Sequence, residues 1–173
     1  MTEFTTWRSL VDGEIISTIP DSVVSRPNDL DASNSRDEED WGMVIETKSL
    51  WPSIAGRISD LTVGATISRI YEYDEINDSL GQEINNTDIS ALSAGDIFEH
   101  NDVSLSANQQ FVITIDAEGL EFDLGRNQDA TDYPYTSDDV DFVGFYNGIG
   151  QEKQTNQAVG INDVGNPDGV LND

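Results

Sequence analysis

The sequence predicts an all-β protein: an antiparallel β-sandwich of jelly-roll type, preceded by an extended N-terminal hairpin segment. Short runs of alternating apolar and polar residues recur along the chain, clusters of Gly, Asn, Asp and Pro separate them, and no long helical pattern appears. The 14 glycines and 5 prolines suit a turn-rich β protein. A chain of 173 residues can bury one domain core and still carry appended segments.

The first segment, residues 1–24, is predicted to be a docking hairpin. Asp12-Gly13 supplies a turn across which Thr5–Val11 can pair with Glu14–Ile19, and Pro20 ends the second arm. The segment is too small to hold a core of its own, so its apolar side chains would be buried against a partner. The candidate partner-binding residues here are Phe4, Trp7, Leu10, Ile15, Ile16 and Ile19.

Residues 25–41 are predicted to be an acidic linker. The segment has almost no apolar content and contains the charged run Arg36-Asp37-Glu38-Glu39-Asp40. Such a composition favours a flexible connection over a packed element.

The sandwich itself is expected over residues 42–150. Phe111–Asp116 carries the clearest strand pattern, and Leu120–Leu124 is predicted to pair with it as a hairpin across Ala117-Glu118-Gly119. Residues 151–173 are expected to add one strand, at Ala158–Ile161, and a polar tail. The other predicted strands are Met43–Thr47, Ile54–Ile58, Thr66–Tyr73, Ile97–Glu99 and Val140–Tyr146.

The charge balance indicates a solvent of high salt concentration and excludes nucleic acid as a partner. Thirty-four acidic residues against eight basic ones give a formal net charge of −26, and the acids are interleaved with apolar residues instead of forming one disordered block. In about 1 M salt the Debye length falls to about 3 Å, which screens the self-repulsion of such a chain. In this respect the sequence resembles haloarchaeal proteins. No basic stripe is present to neutralise phosphates, so nucleic acid is excluded.

Other segments bear on location and redox chemistry. There is no cysteine, so neither a disulfide nor a thiolate site is possible. The first residues lack the basic region and the apolar region of a signal peptide. No run of apolar residues approaches the roughly 20 that are needed to cross a bilayer. We therefore expect synthesis in the cytoplasm and no membrane insertion.

No catalytic residues are predicted. Asp116, Glu118, Glu121 and Asp123 flank one turn and could supply a glycosidase pair, but in so acidic a chain they favour a solvated face. His100 would have to serve as the base of a serine hydrolase, and its polar surroundings predict instead a surface or loop histidine.

Two recognition motifs and one ion motif remain as candidates. Tyr133-Pro134-Tyr135 presents aromatic rings for sugar stacking or protein contact, or else plugs the end of the sandwich. Asp138, Asp139 and Asp141 have the alternating spacing of calcium or sodium ligands, or else lie outward on a strand or cap a turn. No cofactor is required. Asn77 and Asn85 begin glycosylation triplets.

Residues 42–147 resemble the virion surface proteins of haloarchaeal tailed viruses and their proviruses. The matching stretches are Gly56-Arg-Ile-Ser-Asp-Leu-Thr62, Ser68-Arg-Ile-Tyr-Glu-Tyr-Asp74, Thr87-Asp-Ile-Ser-Ala-Leu-Ser-Ala-Gly-Asp-Ile-Phe98, Leu105-Ser-Ala-Asn108, Phe111-Val-Ile-Thr-Ile-Asp116 and Tyr133-Pro-Tyr-Thr-Ser-Asp-Asp-Val-Asp141. The resemblance implies a tail fibre, baseplate or capsid-spike component, and it supplies no catalytic residues.

The sequence thus predicts a non-enzymatic structural protein of a haloarchaeal virus particle. The N-terminal segment would bind other virion proteins, and the sandwich loops would meet a neighbouring protein or a host surface glycan or glycoprotein. A homo-oligomer is expected because many weak contacts then act together. The alternative is a carbohydrate-binding or cell-surface module of a halophilic archaeon.

Overall fold

The chain is all-β in the part that the structure describes. The computed structural model describes residues 7–11, 14–19, 23–25, 32–36, 41–127, 133–147, 153–154 and 158–166. Within these residues there is no helix, and every strand pair is antiparallel. The strands are β1 (Trp7–Val11), β2 (Glu14–Ile19), β3 (Val23–Ser25), β4 (Ala32–Arg36), β5 (Trp41–Thr47), β6 (Ile54–Ile58), β7 (Ile67–Asp74), β8 (Ser79–Asp88), β9 (Ile97–His100), β10 (Gln110–Asp116), β11 (Phe122–Asn127), β12 (Val140–Asn147), β13 (Ala158–Val159) and β14 (Ile161–Gly165). The prediction of an antiparallel all-β fold is confirmed, and the jelly-roll sandwich stays a prediction.

A five-stranded sheet in the order β12-β5-β10-β7-β8 is the largest element. Its central strand β10 pairs with β5 and β7 along its two edges and is buried along its whole length. Successive side chains of a strand point to opposite faces, so Phe111, Ile113 and Ile115 enter the main core while Val112 lies on the other face.

Three sheets contribute to that main core. Besides the five-stranded sheet, a four-stranded sheet has the order β3-β14-β6-β9, and a three-stranded sheet has the order β13-β11-β4. One apolar cluster includes Met43 from β5, Ile54 from β6 and Leu124 from β11. The sheets are therefore held together mainly by burial of these side chains.

The predicted hairpin between Phe111–Asp116 and Leu120–Leu124 is wrong. The two strands follow each other in sequence but belong to different sheets, since β11 pairs with β4 and β13. With β5 and β7 already on its two edges, β10 has no free edge for β11. The turn after Asp116 carries the chain from one sheet to the other.

Two polar segments form strands that the sequence patterns did not indicate. Ala32–Arg36, inside the predicted linker 25–41, pairs with β11, and its residues alternate between half-buried and exposed. Ser79–Asp88 forms β8 on the outside of the five-stranded sheet, where a polar strand needs only one buried neighbour. In both strands backbone pairing compensates for the missing apolar residues.

The C-terminal region contributes more than one strand. After β13, Gly160 adopts a left-handed backbone with φ +66°, and β14 then runs between β3 and β6. Ile161 and Val164 of β14 are fully buried. Part of the predicted polar tail is thus an inner strand.

The predicted N-terminal hairpin is present as a backbone pairing. β1 pairs with β2, with a register shift between Ser9 and Leu10, and the pair forms a sheet of its own. β3, from the same predicted segment 1–24, pairs instead with β14. Docking by this hairpin stays a prediction.

Candidate functional site

Three loops at one end of the five-stranded sheet form a continuous surface, here called the loop surface (residues 48–53, 101–109 and 133–139). The first loop joins the other two: Lys48 N donates to Asp139 O at 2.9 Å, and Trp51 and Leu105 exchange backbone hydrogen bonds of 2.9 and 2.7 Å. Val103 N also donates to Pro52 O at 2.9 Å. Trp51, Val103 and Leu105 are buried beneath the surface, so the loops are anchored in the core.

The loop surface carries both exposed apolar residues and exposed carboxylates. Leu50 is 63% exposed, Pro134 is exposed, and Tyr135 is half-buried. The exposed carboxylates of the same loops are Asp102, Asp138 and Asp139. Asp102, Ser104 and Asn108 have φ values of +58°, +52° and +57°. Asp and Asn enter this left-handed conformation more readily than other non-glycine residues, whereas serine rarely does, so the backbone at Ser104 indicates a loop of defined shape.

Of the two tyrosines predicted for recognition, the structure buries one. Tyr133 is only 8% exposed and belongs to the main core cluster, so its ring is not presented to a ligand. Tyr135 packs partly on the same cluster and exchanges backbone hydrogen bonds of 2.8 and 2.9 Å with Phe142. Its remaining exposed surface is the part of this motif that a partner can reach, and binding there stays a prediction.

The three aspartates predicted as ion ligands have separate surroundings. Asp141 forms an ion pair with Lys48 and accepts a 3.2 Å hydrogen bond from Ser137 N, whereas Asp138 and Asp139 are exposed. The hydrogen bond that Lys48 Nζ donates to the Asp141 carboxylate raises the pKa of Lys48. Among the described residues, no group of three or more Asp, Glu, His or Cys side chains is arranged to hold a metal ion. Calcium or sodium binding stays a prediction.

His100 is a core residue, which corrects the expectation of a surface or loop histidine. It lies in β9 and is 1% exposed. Its Nε2 is 3.0 Å from Ser68 Oγ, and its Nδ1 is 3.0 Å from Asn85 Oδ1. Ser68 Oγ in turn donates to Thr114 O at 2.8 Å. Burial lowers the pKa of His100 to about 4.

The hydrogen-bonded series Ser68–His100–Asn85 has the order of groups found in a Ser-His-Asn hydrolase, but it is buried in the fold. Ser68 is fully buried, and its hydroxyl hydrogen is directed at the Thr114 carbonyl. A nucleophile needs an open approach to a substrate carbonyl. These hydrogen bonds instead connect β7, β8, β9 and β10, so we interpret them as a structural link between the five-stranded and four-stranded sheets.

The carboxylates around the turn after β10 are also held by local contacts. Asp116 is fully buried and forms an ion pair with Arg69, and its Oδ1 accepts a 2.5 Å hydrogen bond from Glu118 N. Glu121 accepts a 2.5 Å hydrogen bond from Ser35 Oγ. These contacts favour structural roles for both side chains.

The two glycosylation triplets lie in different environments. Asn77 is exposed at the tip of the β7–β8 turn, where its Nδ2 donates to Asp74 Oδ2 at 2.6 Å. Asn85 is half-buried in β8, with Oδ1 near His100 and Nδ2 donating to Asn101 O at 3.2 Å. Only the Asn77 amide is open to a modifying enzyme in the folded protein, and modification of either residue stays a prediction.

The predicted docking residues lie outside the region whose side chains are described. Trp7 and Leu10 are in β1, and Ile15, Ile16 and Ile19 are in β2, where the structure describes the backbone alone. Phe4 lies outside the described residues.

The surface charge is one-sided among the side chains that the structure describes. All of the basic ones are at least half-buried: Arg36, Lys48, Arg57, Arg69, Arg126 and Lys153. The exposed acidic residues include Asp60, Glu72, Glu75, Glu83, Asp88, Asp96, Asp102, Glu118, Glu121, Asp123, Asp138 and Asp139. The basic groups therefore act within the fold, while the solvent meets carboxylates.

The chain matches no protein-family model, no curated protein and no solved structure. In the described part of the chain, no helix has the length and apolar character needed to span a membrane.

Proposed function

We propose that the chain is a non-enzymatic structural component of a haloarchaeal virus particle, of the tail fibre, baseplate or capsid-spike type. The one-sided surface charge carries the halophilic part of this proposal. Among the described side chains the exposed charged groups are carboxylates, which repel one another in dilute buffer, and molar salt screens that repulsion. The viral part rests on the sequence resemblance over residues 42–147.

The fold proposed for this role is a jelly-roll-like sandwich. The main core cluster joins side chains of the five-stranded sheet, such as Ile113, to side chains of the four-stranded sheet, such as Phe98. Shared burial of this kind is what two packed sheets produce. The loop surface lies at one end of the strands, where sandwich proteins commonly bind partners.

The loop surface is the proposed contact with a neighbouring virion protein or the host surface. Its backbone links fix its shape before binding, which lowers the entropy lost on association. Leu50 and the exposed part of Tyr135 would supply the apolar contact. In molar salt such contacts persist while charge–charge attraction is screened.

Deletion of residues 1–24 tests the assembly role. The deletion variant and the full chain are each produced during infection of a halophilic host, and incorporation is measured by quantitative blotting of purified particles. We expect the full chain in particles and the deletion variant in the cell lysate. Because the deletion also removes β3, circular dichroism must first show that the variant folds. Equal incorporation of a folded variant would contradict docking by this segment.

A substitution tests the loop surface without affecting the core. Leu50→Asp is compared with Val63→Asp, since Val63 is similarly exposed and lies outside the loop surface. We expect host attachment or incorporation to fall for Leu50→Asp alone. Equal behaviour of the two variants would remove the loop surface from the proposal.

A carbohydrate-binding module of a halophilic cell is the second candidate. It is favoured by the exposed part of Tyr135, which offers an aromatic ring on which a sugar can stack.

A further inference from the structure

The N-terminal hairpin, formed by β1 and β2, pairs with no other strand in the described part of the chain. The two strands make a sheet of their own, with Trp7 opposite Ile19 at the open end. A lone two-stranded hairpin is only marginally stable in water, so it needs further packing. Six residues of the two strands are apolar: Trp7, Leu10, Val11, Ile15, Ile16 and Ile19. The hairpin therefore requires an apolar surface that covers it.

The charge of the hairpin differs from that of the chain as a whole. Its two strands contain one basic residue, Arg8, and one acidic residue, Glu14, in a chain of net charge −26. The register places Arg8 opposite Thr18, toward the open end, and Glu14 opposite Val11, beside the turn. The open half of the hairpin strands therefore carries a base and no acid, which lets it approach an acidic surface without repulsion.

The hairpin is attached at the end of the four-stranded sheet that carries the loop surface. β2 ends at Ile19 and β3 begins at Val23, and four residue steps span at most about 14 Å. Val23 lies opposite Gly165, and Gly165 lies opposite Ala55, the second residue of β6. Residues 48–53 of the loop surface come immediately before β6. The hairpin therefore starts within reach of a molecule that contacts this end of the fold.

The loop surface has the chemical groups that complement the hairpin. Leu50 is 63% exposed and Pro134 is exposed, so the described fold leaves apolar groups uncovered there. Asp138 and Asp139 are exposed on the same surface, and their carboxylates can accept hydrogen bonds from an arginine. In molar salt the apolar contact supplies most of the affinity, because charge–charge attraction is screened.

We propose that the N-terminal hairpin of one copy docks on the loop surface of a second copy, whose own hairpin docks on the first in return. Because the hairpin and the loop surface leave the same end of each molecule, the two contacts can form together and close a two-fold dimer. The second contact then forms within an existing complex, which strengthens the dimer without any new surface. This inference rests on the proposed function of the loop surface and assigns that surface to another copy of the chain.

Maleimide cross-linking tests the contact, because the chain contains no cysteine of its own. Thr18→Cys places a thiol in β2, and Thr136→Cys places one at an exposed position of the loop surface. The two single variants are mixed in molar KCl, left to exchange, and treated with a bismaleimide. We expect covalent dimers that contain one chain of each variant. Ala91→Cys, exposed outside the loop surface, is the matched control and should cross-link to Thr18→Cys far less.

Equal cross-linking at Thr136→Cys and Ala91→Cys would overturn the proposal, and so would a lack of mixed dimers. The double variant with Thr18→Cys and Thr136→Cys tests the other occupant of the surface. An internal cross-link in a chain of monomer mass would place the hairpin on its own loop surface and contradict exchange between copies.

These results are independent of incorporation into virus particles. Mixed dimers of a chain that is absent from particles would support the exchange and contradict the particle role. A chain that enters particles but forms no mixed dimers would do the reverse.

Sedimentation equilibrium of the full chain in molar KCl measures the strength of the dimer. Burial of one leucine side chain changes an affinity about tenfold, and the dimer contains the contact twice. Leu50→Asp should therefore raise the dimer dissociation constant about a hundredfold, whereas Val63→Asp, similarly exposed outside the loop surface, should leave it unchanged. Equal effects of the two substitutions would refute the assignment. A mass that keeps rising beyond that of a dimer with concentration would contradict the closed exchange.

Discussion

Acidification should weaken the fold through His100. The ring is buried, and its pKa falls from 6.5 to about 4, because burial removes the water that would solvate an imidazolium. The unfolded chain therefore takes up a proton near pH 6.5 that the folded chain does not. The stability from this group is complete above pH 6.5, declines as pH falls, and reaches its limit near pH 4.

The size of the effect follows from the two pKa values. Each pKa unit corresponds to about 1.36 kcal/mol, so lowering the pH from about 7.5 to about 5 should cost about 2 kcal/mol of unfolding free energy. Near pH 5 most carboxylates are still ionised, which keeps their own contribution small. The side chains in contact with the ring, Ser68, Asn85 and Phe98, are uncharged.

One feature of the same site opposes this effect. Asn85 Oδ1 and Ser68 Oγ are both placed as acceptors, so a doubly protonated ring could donate to each of them. Two neutral hydrogen bonds compensate only partly for the burial of a charge, and we therefore expect the loss from burial to be larger.

The assay is urea unfolding of the parent and of His100→Gln at both pH values in molar salt. Glutamine does not titrate, so the variant should be less stable at neutral pH but should lack the pH-dependent loss of about 2 kcal/mol. Parallel loss in both proteins would refute the reasoning. A parent that gains stability on acidification would show that the two acceptors outweigh burial.

Three further predictions concern two ion pairs, the backbone pairing of Gln154 with Phe145, and the salt concentration. Arg69→Leu removes the ion-pair partner of the buried Asp116 carboxylate and should lower the free energy of unfolding, measured with urea, by about 3 kcal/mol. Arg57→Leu breaks a more exposed ion pair and should lower it by about 1 kcal/mol or less. Equal losses in the two variants would contradict this ranking. Gly144→Ala places a Cβ 2.4 Å from Gln154 O, so amide exchange at Gln154 should accelerate, and unchanged protection would show that the strand accommodates the methyl group. Lowering salt from about 1 M to about 0.01 M lengthens the Debye length to about 30 Å and should lower the melting temperature, whereas an unchanged value would contradict the halophilic interpretation.

Strands with a clear pattern of apolar residues could be predicted, because that pattern indicates which side chains are buried. Ile54–Ile58 is recovered with its full bounds, and Phe111–Asp116 is a buried inner strand. The pairing of neighbours could not be predicted in the same way. Phe111–Asp116 is separated from the strand that follows it because β5 and β7 occupy its edges, and local sequence carries no record of those distant partners.

Polar strands and buried polar side chains could not be predicted from the apolar pattern either, because they depend on contacts with distant parts of the chain. Ser79–Asp88 forms a strand through its backbone pairing with β7, which composition does not reveal. His100 was expected in a polar turn because its sequence neighbours are polar, yet its contacts come from Ser68 and Asn85 on other strands. The rings of Tyr73 and Tyr146 also meet only in the fold, so no local sequence pattern could predict their contact.

The most direct test of the central claim is mass spectrometry of gradient-purified virus particles from a halophilic host that encodes this chain. If the protein is a structural component, its peptides should co-purify with the major capsid protein through successive gradients at a constant ratio. Peptides that disappear from the particles on purification, and remain only in the cell fraction, would contradict the account.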